Sequence, residues 1–544
     1  MDGARSMLEH ADLLVPYYRG RPFFDKPALT YWLMAGSFRV FGFTPGAARL
    51  VSAASALLVL LVTLWLGGLV LNRRSALTGA LLLATTLGFV SFGRVAMSDM
   101  LLTLWSTLAF ALAVRLHRPG PPAWMLPALG AALGLGFLTK GPVALLLPGL
   151  GIALLLWRGR RERLPLTPGG VALAAVCFLV LGFGWFMAVY RRLGWDPLAY
   201  FFLRENLQRF AAQTYDSGRE WWFYGPAYLA VGLPWSLFLP VALSCYLRED
   251  LADQPGLVGS RLLSAWAGLM LVPLSLSRGK LDYYLLPLLP ALSLVLGHYF
   301  SEVPWRRFER VWARAALWLV AVGLLVIAAG PLRLPVEWLP GPGGRWTLTA
   351  VAAACAAGCG VTAARLRPAR SVAALASAAA AVFLVLIVLF LPAFRDAQPN
   401  AEILEDVTRE LHHRPDAGVV VCEDPTRVQR DLLFHARVAV SERCDLWNPA
   451  SSRFAFLLLL NRNEFASLDA AMKRIRLVGR YELLPAGVLT FKGWLRRSQP
   501  EPLFLAANYP SKDPLAKAQR RIERQAERAE RGRQIHLRQK GRRP

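Results

Sequence analysis

Apolar residues recur along this chain in runs of about 18 or more, each long enough to cross a bilayer as a helix. Twelve runs can be placed, near 47–72, 76–92, 98–115, 122–138, 141–157, 170–190, 225–246, 260–276, 283–300, 313–331, 347–364 and 372–393. They leave two substantial apolar-poor regions, 191–224 and everything after about 394. The totals point the same way. Of 544 residues, 55% are hydrophobic and only 18% charged, against about 25% charged in a soluble domain. Mean hydropathy is +0.38. That much apolar sequence cannot fill one water-soluble core, so the pattern predicts a mostly α, polytopic membrane protein.

Loop charge predicts orientation, because Lys and Arg concentrate on the cytoplasmic side. The strongly basic connections are Arg73–Arg74, Arg115–Arg118, Arg158–Arg163, Arg306–Arg314 and Arg365–Arg370. They fall at every second loop, apart from 247–259, which is mixed in charge. The other set is then outside: 1–46, 93–97, 139–141, 191–224, 277–282 and 332–346. Twelve spans put both the N-terminus and the C-terminal region outside. Met1–His10 has no apolar signal-peptide core, so translocating residues 1–46 predicts a further span upstream of Met1.

Ahead of the first run lies YYRGRPFFDKPALTYWL, 17–33. Segment 28–43 is apolar but too short and too punctuated to span. It reads as a helix lying in the interface, with Tyr31, Trp32 and Phe38 at headgroup depth. Asp25 and Lys26 would then sit at the outer membrane surface. A cation there suits a lipid phosphate; taken alone, the pair reads first as a snorkelling anchor, Lys to headgroup and Asp to solvent.

Three other outside loops carry isolated charges beside the membrane. GRVAMSDMLLTLW, 93–105, puts Asp99 at the very start of a span, where an acid is costly unless used, solvated or capping the helix. FLTKGPVALLLPG, 137–149, leaves Lys140 where Gly141 and Pro142 break the apolar run. LSLSRGKLDYYLLPLLP, 274–290, offers Arg278, Lys280 and the pair Tyr283–Tyr284. Together these exceptions to loop polarity suggest a site for a phosphate-bearing lipid.

In order and spacing, GRPFFDKPALTYWL, AMSDMLLTLW, FLTKGPVALLLP and SRGKLDYYLLPLLPAL resemble the bacterial members of the protein mannosyltransferase superfamily. The similarity is greatest to the aminoarabinose transferases of lipid A and covers about residues 4–300. It implies a GT-C glycosyltransferase that takes a sugar from a polyprenyl-phosphate donor to a lipid, glycan or protein acceptor at the outer face of the inner membrane. It further implies that Lys26 contacts the donor phosphate. Asp25, where the family usually has Glu, would help hold a divalent metal ion. Asp99 would line the active-site cavity, and Tyr284 and Lys280 would lie near the donor phosphate. Phe23 stands where these enzymes often have Tyr. The stretch 201–226 resembles their large outer loop, with Glu205-Asn206 in place of a motif carrying a metal-binding His; Asn is a poor zinc ligand. An amphipathic interfacial segment would explain 201–224 as well. The family's catalytic Asp would fall before Met1, which leaves Asp99 as the catalytic carboxylate to be expected within the chain, or else an inactive member.

After the last run, segments 394–496 alternate in character and predict a small α/β domain outside the membrane. AEILEDVTRELHH reads as a helix, and GVVVCED, ARVAVSE, RFAFLLLLN, RYELLPA and GVLTFKGW read as strands, with another helix at 464–475. No glycine-rich nucleotide loop is evident, in keeping with a lipid-linked donor. Cys177, Cys245, Cys355 and Cys359 read as small apolar residues within spans, and Cys422 with Cys444 as a disulfide pair in an oxidising compartment. Residues 497–544 read as a basic tail. Its part 511–544 carries twelve Lys and Arg against four acids, or +8 of the chain's +26, and suits anionic headgroups rather than nucleic acid. A transporter or flippase of a lipid-linked substrate is the alternative. It should show repeats or paired broken helices, and neither is evident in the sequence.

Overall fold

The computed structural model describes residues 1–18, 21–158, 167–211, 219–248, 254, 256–332, 341–390, 400–413, 418–421, 440–441, 456–461, 476–483 and 501–507. It divides into two units, Met1–Pro392 and Ala393–Pro544.

The first unit is helical. Among the described residues eight helices are long and apolar enough to cross a membrane: Pro45–Val70, Asp99–Leu116, Pro168–Leu193, Leu257–Leu276, Asp282–Ser301, Arg307–Ala329, Trp346–Ala364 and Pro368–Phe390. Two further pairs pass the same test but are bent. Arg73–Ala84 meets Leu87–Gly93 at 61°, and Trp221–Val231 meets Trp235–Cys245 at 116°. Met125–Lys140 and Val143–Arg158 are apolar but only 16 residues each. Each of the twelve expected runs therefore falls on helix, but only eight are full-length spans in one piece. The chain is a multi-pass membrane protein.

The broken pairs depart from the sequence reading, which found no paired breaks. Their physical cause is local. Thr85 and Thr86 turn their hydroxyls back onto the Leu81 and Leu82 carbonyls (2.8 and 2.7 Å), which competes with helix continuation. Pro234 has no N–H to give. The two breaks then satisfy each other: the Leu87 N–H donates to the Leu233 carbonyl (2.9 Å) and the Trp235 indole to Thr85 Oγ1 (3.1 Å).

Burial ranks the helices. Asp99–Leu116 and Asp282–Ser301 are central, with 83% and 89% of their apolar windows buried, whereas Pro168–Leu193 has 17% and faces outward. That outer helix nonetheless approaches Met125–Lys140 closely, because glycines meet there. A methyl on Gly134 would lie 3.0 Å from the Phe178 carbonyl oxygen, and one on Gly182 would lie 3.3 Å from the Gly134 Cα. Small residues at such contacts are the usual means of membrane helix association.

Contacts sort the loops into two ends. At one end Asp12 pairs with Arg192 (2.8 Å), Ser52 bonds the Met97 carbonyl (3.1 Å), Arg278 N–H donates to the Phe210 carbonyl (3.2 Å), and Arg219 pairs with Asp282 (2.9 Å). At the other, Ser301 bonds Thr78 (2.9 Å) and Arg248 bonds Glu309 (2.8 Å). Loops sharing the first end are ones whose poverty in Lys and Arg grouped them as outside. Residues 333–340, from the remaining loop of that group, lie outside the described residues.

The expected interfacial segment is helix Leu29–Phe41. Trp32 donates its indole N–H to the Leu13 carbonyl (2.7 Å). Phe38, expected at headgroup depth, is instead buried and lies against Phe43 (5.2 Å between rings). Helical spacing groups it with Leu29, Met34 and Ala35 on the protein-facing side.

The second unit shows helix Asn400–His413 and a five-stranded sheet among the described residues. Its order is Val440–Ser441, Gly418–Val421, Phe456–Asn461, Glu501–Ala507, Arg476–Leu483. The first three strands run parallel and the remaining pairings are antiparallel. Strand Glu501–Ala507 falls in the segment read as tail, yet it is interior to the sheet, with Leu505 and Ala507 fully buried. Its short apolar core is flanked by Pro502 and a polar run, which hides it in a composition count. The expected strand 487–494, helix 464–475, Cys422, Cys444 and the 511–544 tail lie outside the described residues. Cys177, Cys245, Cys355 and Cys359 are free thiols.

Candidate functional site

The two central helices begin at the same end of the bundle, and the candidate residues cluster there. Asp99 opens Asp99–Leu116, and Tyr284 lies in the first turns of Asp282–Ser301. Lys140 closes Met125–Lys140. A carboxylate at a helix N-terminus and an ammonium at a C-terminus are each favoured by the helix dipole. The two form a direct ion pair, with side chains only 6% and 13% exposed. The same ammonium sits 4.6 Å above the Tyr284 ring, a cation–π contact. Tyr284 meets Tyr283 edge-on (5.1 Å), and Tyr283 meets Phe92 (5.8 Å).

Asp25 and Lys26 form a turn between a short hairpin, Tyr17–Tyr18 with Arg21–Pro22, and helix Leu29–Phe41. Phe24 anchors this turn by packing on Trp185 (6.3 Å). The Phe23 N–H donates to the Pro16 carbonyl (2.8 Å), while its ring tilts on Tyr18 (5.3 Å). The Lys26 ammonium donates to the Asp25 carbonyl (3.0 Å). The Asp25 carboxylate accepts from the Tyr200 hydroxyl (3.0 Å). Burial first, and then the Asp25 charge, push the Tyr31 phenol above its ordinary value.

The outer segment touches both clusters. Helix Asp196–Ala199 leads into a π-helical stretch, Tyr200–Gln208; such stretches are rare and frequent at functional sites. Tyr200 reaches Asp25. Phe201, next to it, covers Gly141, immediately after Lys140. Gly141 has φ +72°, and a methyl there would come within 2.6 Å of the Phe201 ring. Asn206 donates to the Phe201 carbonyl (2.7 Å), and Glu205 is buried. Trp221 and Trp222, further along, are exposed, as an interfacial segment requires.

Lys280 is buried and turned to backbone, donating to the Ser277 and Arg219 carbonyls (2.5 and 3.1 Å). Burial lowers its pKa from the ordinary lysine value, and the Glu220 carboxylate opposes this. The structure thus joins Asp99, Lys140 and Tyr284 directly, and joins Asp25 and Lys26 to them through residues 200–206. Sequence reading missed Tyr200 and Phe201, whose aromatic run was visible but whose partners were 175 and 60 residues away in sequence.

Among the described residues no three His, Cys, Asp or Glu side chains gather. Asp25 is engaged by Tyr200, and Asn206 by its own segment. The described residues do not fit the implied divalent metal.

A membrane bundle with charged and aromatic groups gathered at one end of its central helices defines the class, and comparisons with known proteins fill in the particulars. Residues 25–185 match the family model described as dolichyl-phosphate-mannose-protein mannosyltransferase. An undecaprenyl phosphate-alpha-4-amino-4-deoxy-L-arabinose arabinosyl transferase of Pseudomonas aeruginosa (strain UCBPP-PA14) is 37% identical over 307 residues, 54% of this chain and 53% of the relative. The enzyme of the same name from Pectobacterium carotovorum subsp. carotovorum is 31% identical over 352 residues, 62% of each chain. The matched region thus spans little more than half the length of such relatives. Among solved structures, ArnT from Cupriavidus metallidurans bound to undecaprenyl phosphate superposes with a TM-score of 0.69 at 19% identity, covering 94% of this chain and 93% of that one. Its apo form gives 0.67 at 18%. The chain has the ArnT fold. The resemblance to mannosyltransferase-like and aminoarabinose-transferase-like GT-C glycosyltransferases read from the sequence is borne out.

Proposed function

We propose that this protein is a membrane glycosyltransferase that moves a sugar from a polyprenyl-phosphate donor to a lipid acceptor, at the outer face of the inner membrane. The relatives' names favour aminoarabinose on undecaprenyl phosphate as donor. The observation that carries the reading is the bridge of residues 200–206 between the Lys26 turn and the Asp99–Lys140–Tyr284 cluster. It puts a cation suited to a lipid phosphate and a buried carboxylate under one cover. We further propose twelve crossings, counting the bent pairs and the two short helices, because each of these four is apolar and falls on one of the twelve apolar runs.

In the reaction an acceptor hydroxyl attacks the anomeric carbon. The bond from that carbon to the phosphate oxygen breaks, and its electron pair stays on the lipid phosphate. Lys26 offsets the charge developing there. The acceptor's proton passes to a carboxylate, for which Asp99 is the candidate. Lys140 pairs with Asp99 and keeps it aimed, and Tyr284 borders the same space.

The broken helices favour a transporter reading, since discontinuous helices often hold transported ions. Here, however, the Leu87 N–H bonds the Leu233 carbonyl and the Trp235 indole bonds Thr85 Oγ1, so groups at the two breaks bond each other. The test is transfer in proteoliposomes supplied with an undecaprenyl-phosphate-linked sugar. Lys26→Ala and Asp99→Asn should each abolish transfer. Transfer that survives both changes, or movement of the intact donor across the bilayer without transfer, would sink the assignment.

A further inference from the structure

We propose that Tyr200 is a positioning residue that fixes the donor-phosphate turn through Asp25, and that it does so without a metal ion. The inference rests on the reading of Lys26 as the phosphate-binding cation. Three observations carry it. The Tyr200 hydroxyl donates to the Asp25 carboxylate at 3.0 Å, across 175 residues of sequence. Arg204, one turn further on, lies 5.4 Å from the Tyr200 ring centre, which orients that ring against the segment. Asn206 directs its amide onto the Phe201 carbonyl at 2.7 Å, so the hydrogen bonding of this stretch is turned inward and holds the π-helical geometry that presents Tyr200.

The chemistry follows from these contacts. Lys26 adjoins Asp25 in sequence, and its ammonium donates to the Asp25 carbonyl. Anything that fixes the Asp25 side chain therefore limits the excursions of the Lys26 backbone. A hydroxyl-to-carboxylate hydrogen bond is charge-assisted and short-ranged, so it transmits position rather than merely charge. Tyr200 also couples the turn to Phe201 on Gly141, and hence to the neighbour of Lys140. Two clusters far apart in the sequence are registered by two adjacent aromatic side chains. A metal could serve the same purpose only with a set of ligands from both sides, and among the described residues no three His, Cys, Asp or Glu side chains gather.

The test measures binding of undecaprenyl phosphate itself, without sugar, to the purified full chain in nanodiscs. Tyr200→Phe keeps the ring and removes only the hydroxyl. It should raise the Kd roughly tenfold, as expected for loss of a hydrogen bond to a charged group, and leave the thermal unfolding midpoint nearly unchanged. Asp25→Asn keeps an acceptor for the Tyr200 hydroxyl and should lose less than Asp25→Ala. The Tyr200→Phe and Asp25→Ala effects should be strongly non-additive. Chelation should leave binding intact, and elemental analysis should find no stoichiometric divalent metal. An unchanged Kd in Tyr200→Phe, or additive effects, would overturn the positioning role. Loss of binding on chelation, with recovery on adding back one metal, would overturn the metal-free part. Lys26→Ala separates the two levels: if it binds normally, the phosphate-site reading fails, whatever Tyr200→Phe does.

Discussion

Replacing Lys140 by Met is the most discriminating single change at the cluster. It keeps the length and apolar stem of the side chain and removes only the ammonium. Asp99 would remain at 6% side-chain exposure with its partner gone. Breaking a buried ion pair from one side costs about 3–5 kcal/mol, because the surviving charge is left uncompensated. The N-terminus of helix Asp99–Leu116 returns about 0.3–1 kcal/mol of that to the carboxylate. Loss of the cation–π contact to Tyr284 adds about 0.5–1 kcal/mol in the other direction. The terms leave about 3–5 kcal/mol, or more than a hundredfold in the unfolding equilibrium at about 1.4 kcal/mol per factor of ten. Asp99→Asn combined with Lys140→Met removes both charges together and should cost markedly less than Lys140→Met alone. The assay is reversible unfolding in mixed micelles of the two single variants and the double. Additive losses, or a Lys140→Met protein as stable as the parent, would refute the claim that the pair is desolvated and mutually dependent.

Two further outcomes follow from the same geometry. Gly141→Ala meets both a positive φ and the Phe201 ring at 2.6 Å; it should cost about 1–3 kcal/mol from the backbone alone, seen as a lower unfolding midpoint and faster proteolysis at residues 196–211. Burial sets the Lys280 pKa below the ordinary lysine value, so across the interval between them the unfolded chain holds a proton that the folded chain has released. Stability should therefore rise with pH through that window, and Lys280→Met should flatten the rise; an unfolding midpoint that falls there would show the sign to be wrong.

How much was legible in the sequence depended on the range of the signal. Each long apolar run declares its helix by itself, so all twelve segments were found, and loop charge grouped the loops that the structure gathers at one end. Asp99 and Lys140 stood out because a charge beside an apolar run is expensive; that they answer each other was not visible, since their pairing depends on how two helices pack 41 residues apart. The helix breaks were hidden for the same reason. Thr85–Thr86 and Pro234 are each tolerable within a span, and only their mutual bonding makes bending cheap. Strand Glu501–Ala507 was lost because its seven residues gain meaning only from the neighbours on either side of it.

The joint between the bent helices has a consequence for how the chain is made. The Leu87 N–H finds its partner on Leu233 and Thr85 accepts from Trp235, so 146 residues separate the first donor from its acceptor (233 − 87 = 146). During synthesis the early bent pair reaches the bilayer with polar groups whose permanent partners have not yet left the ribosome. Until the later pair arrives, those groups must be borne by water or by the insertion machinery, and the order of biogenesis is written into where the two breaks lie.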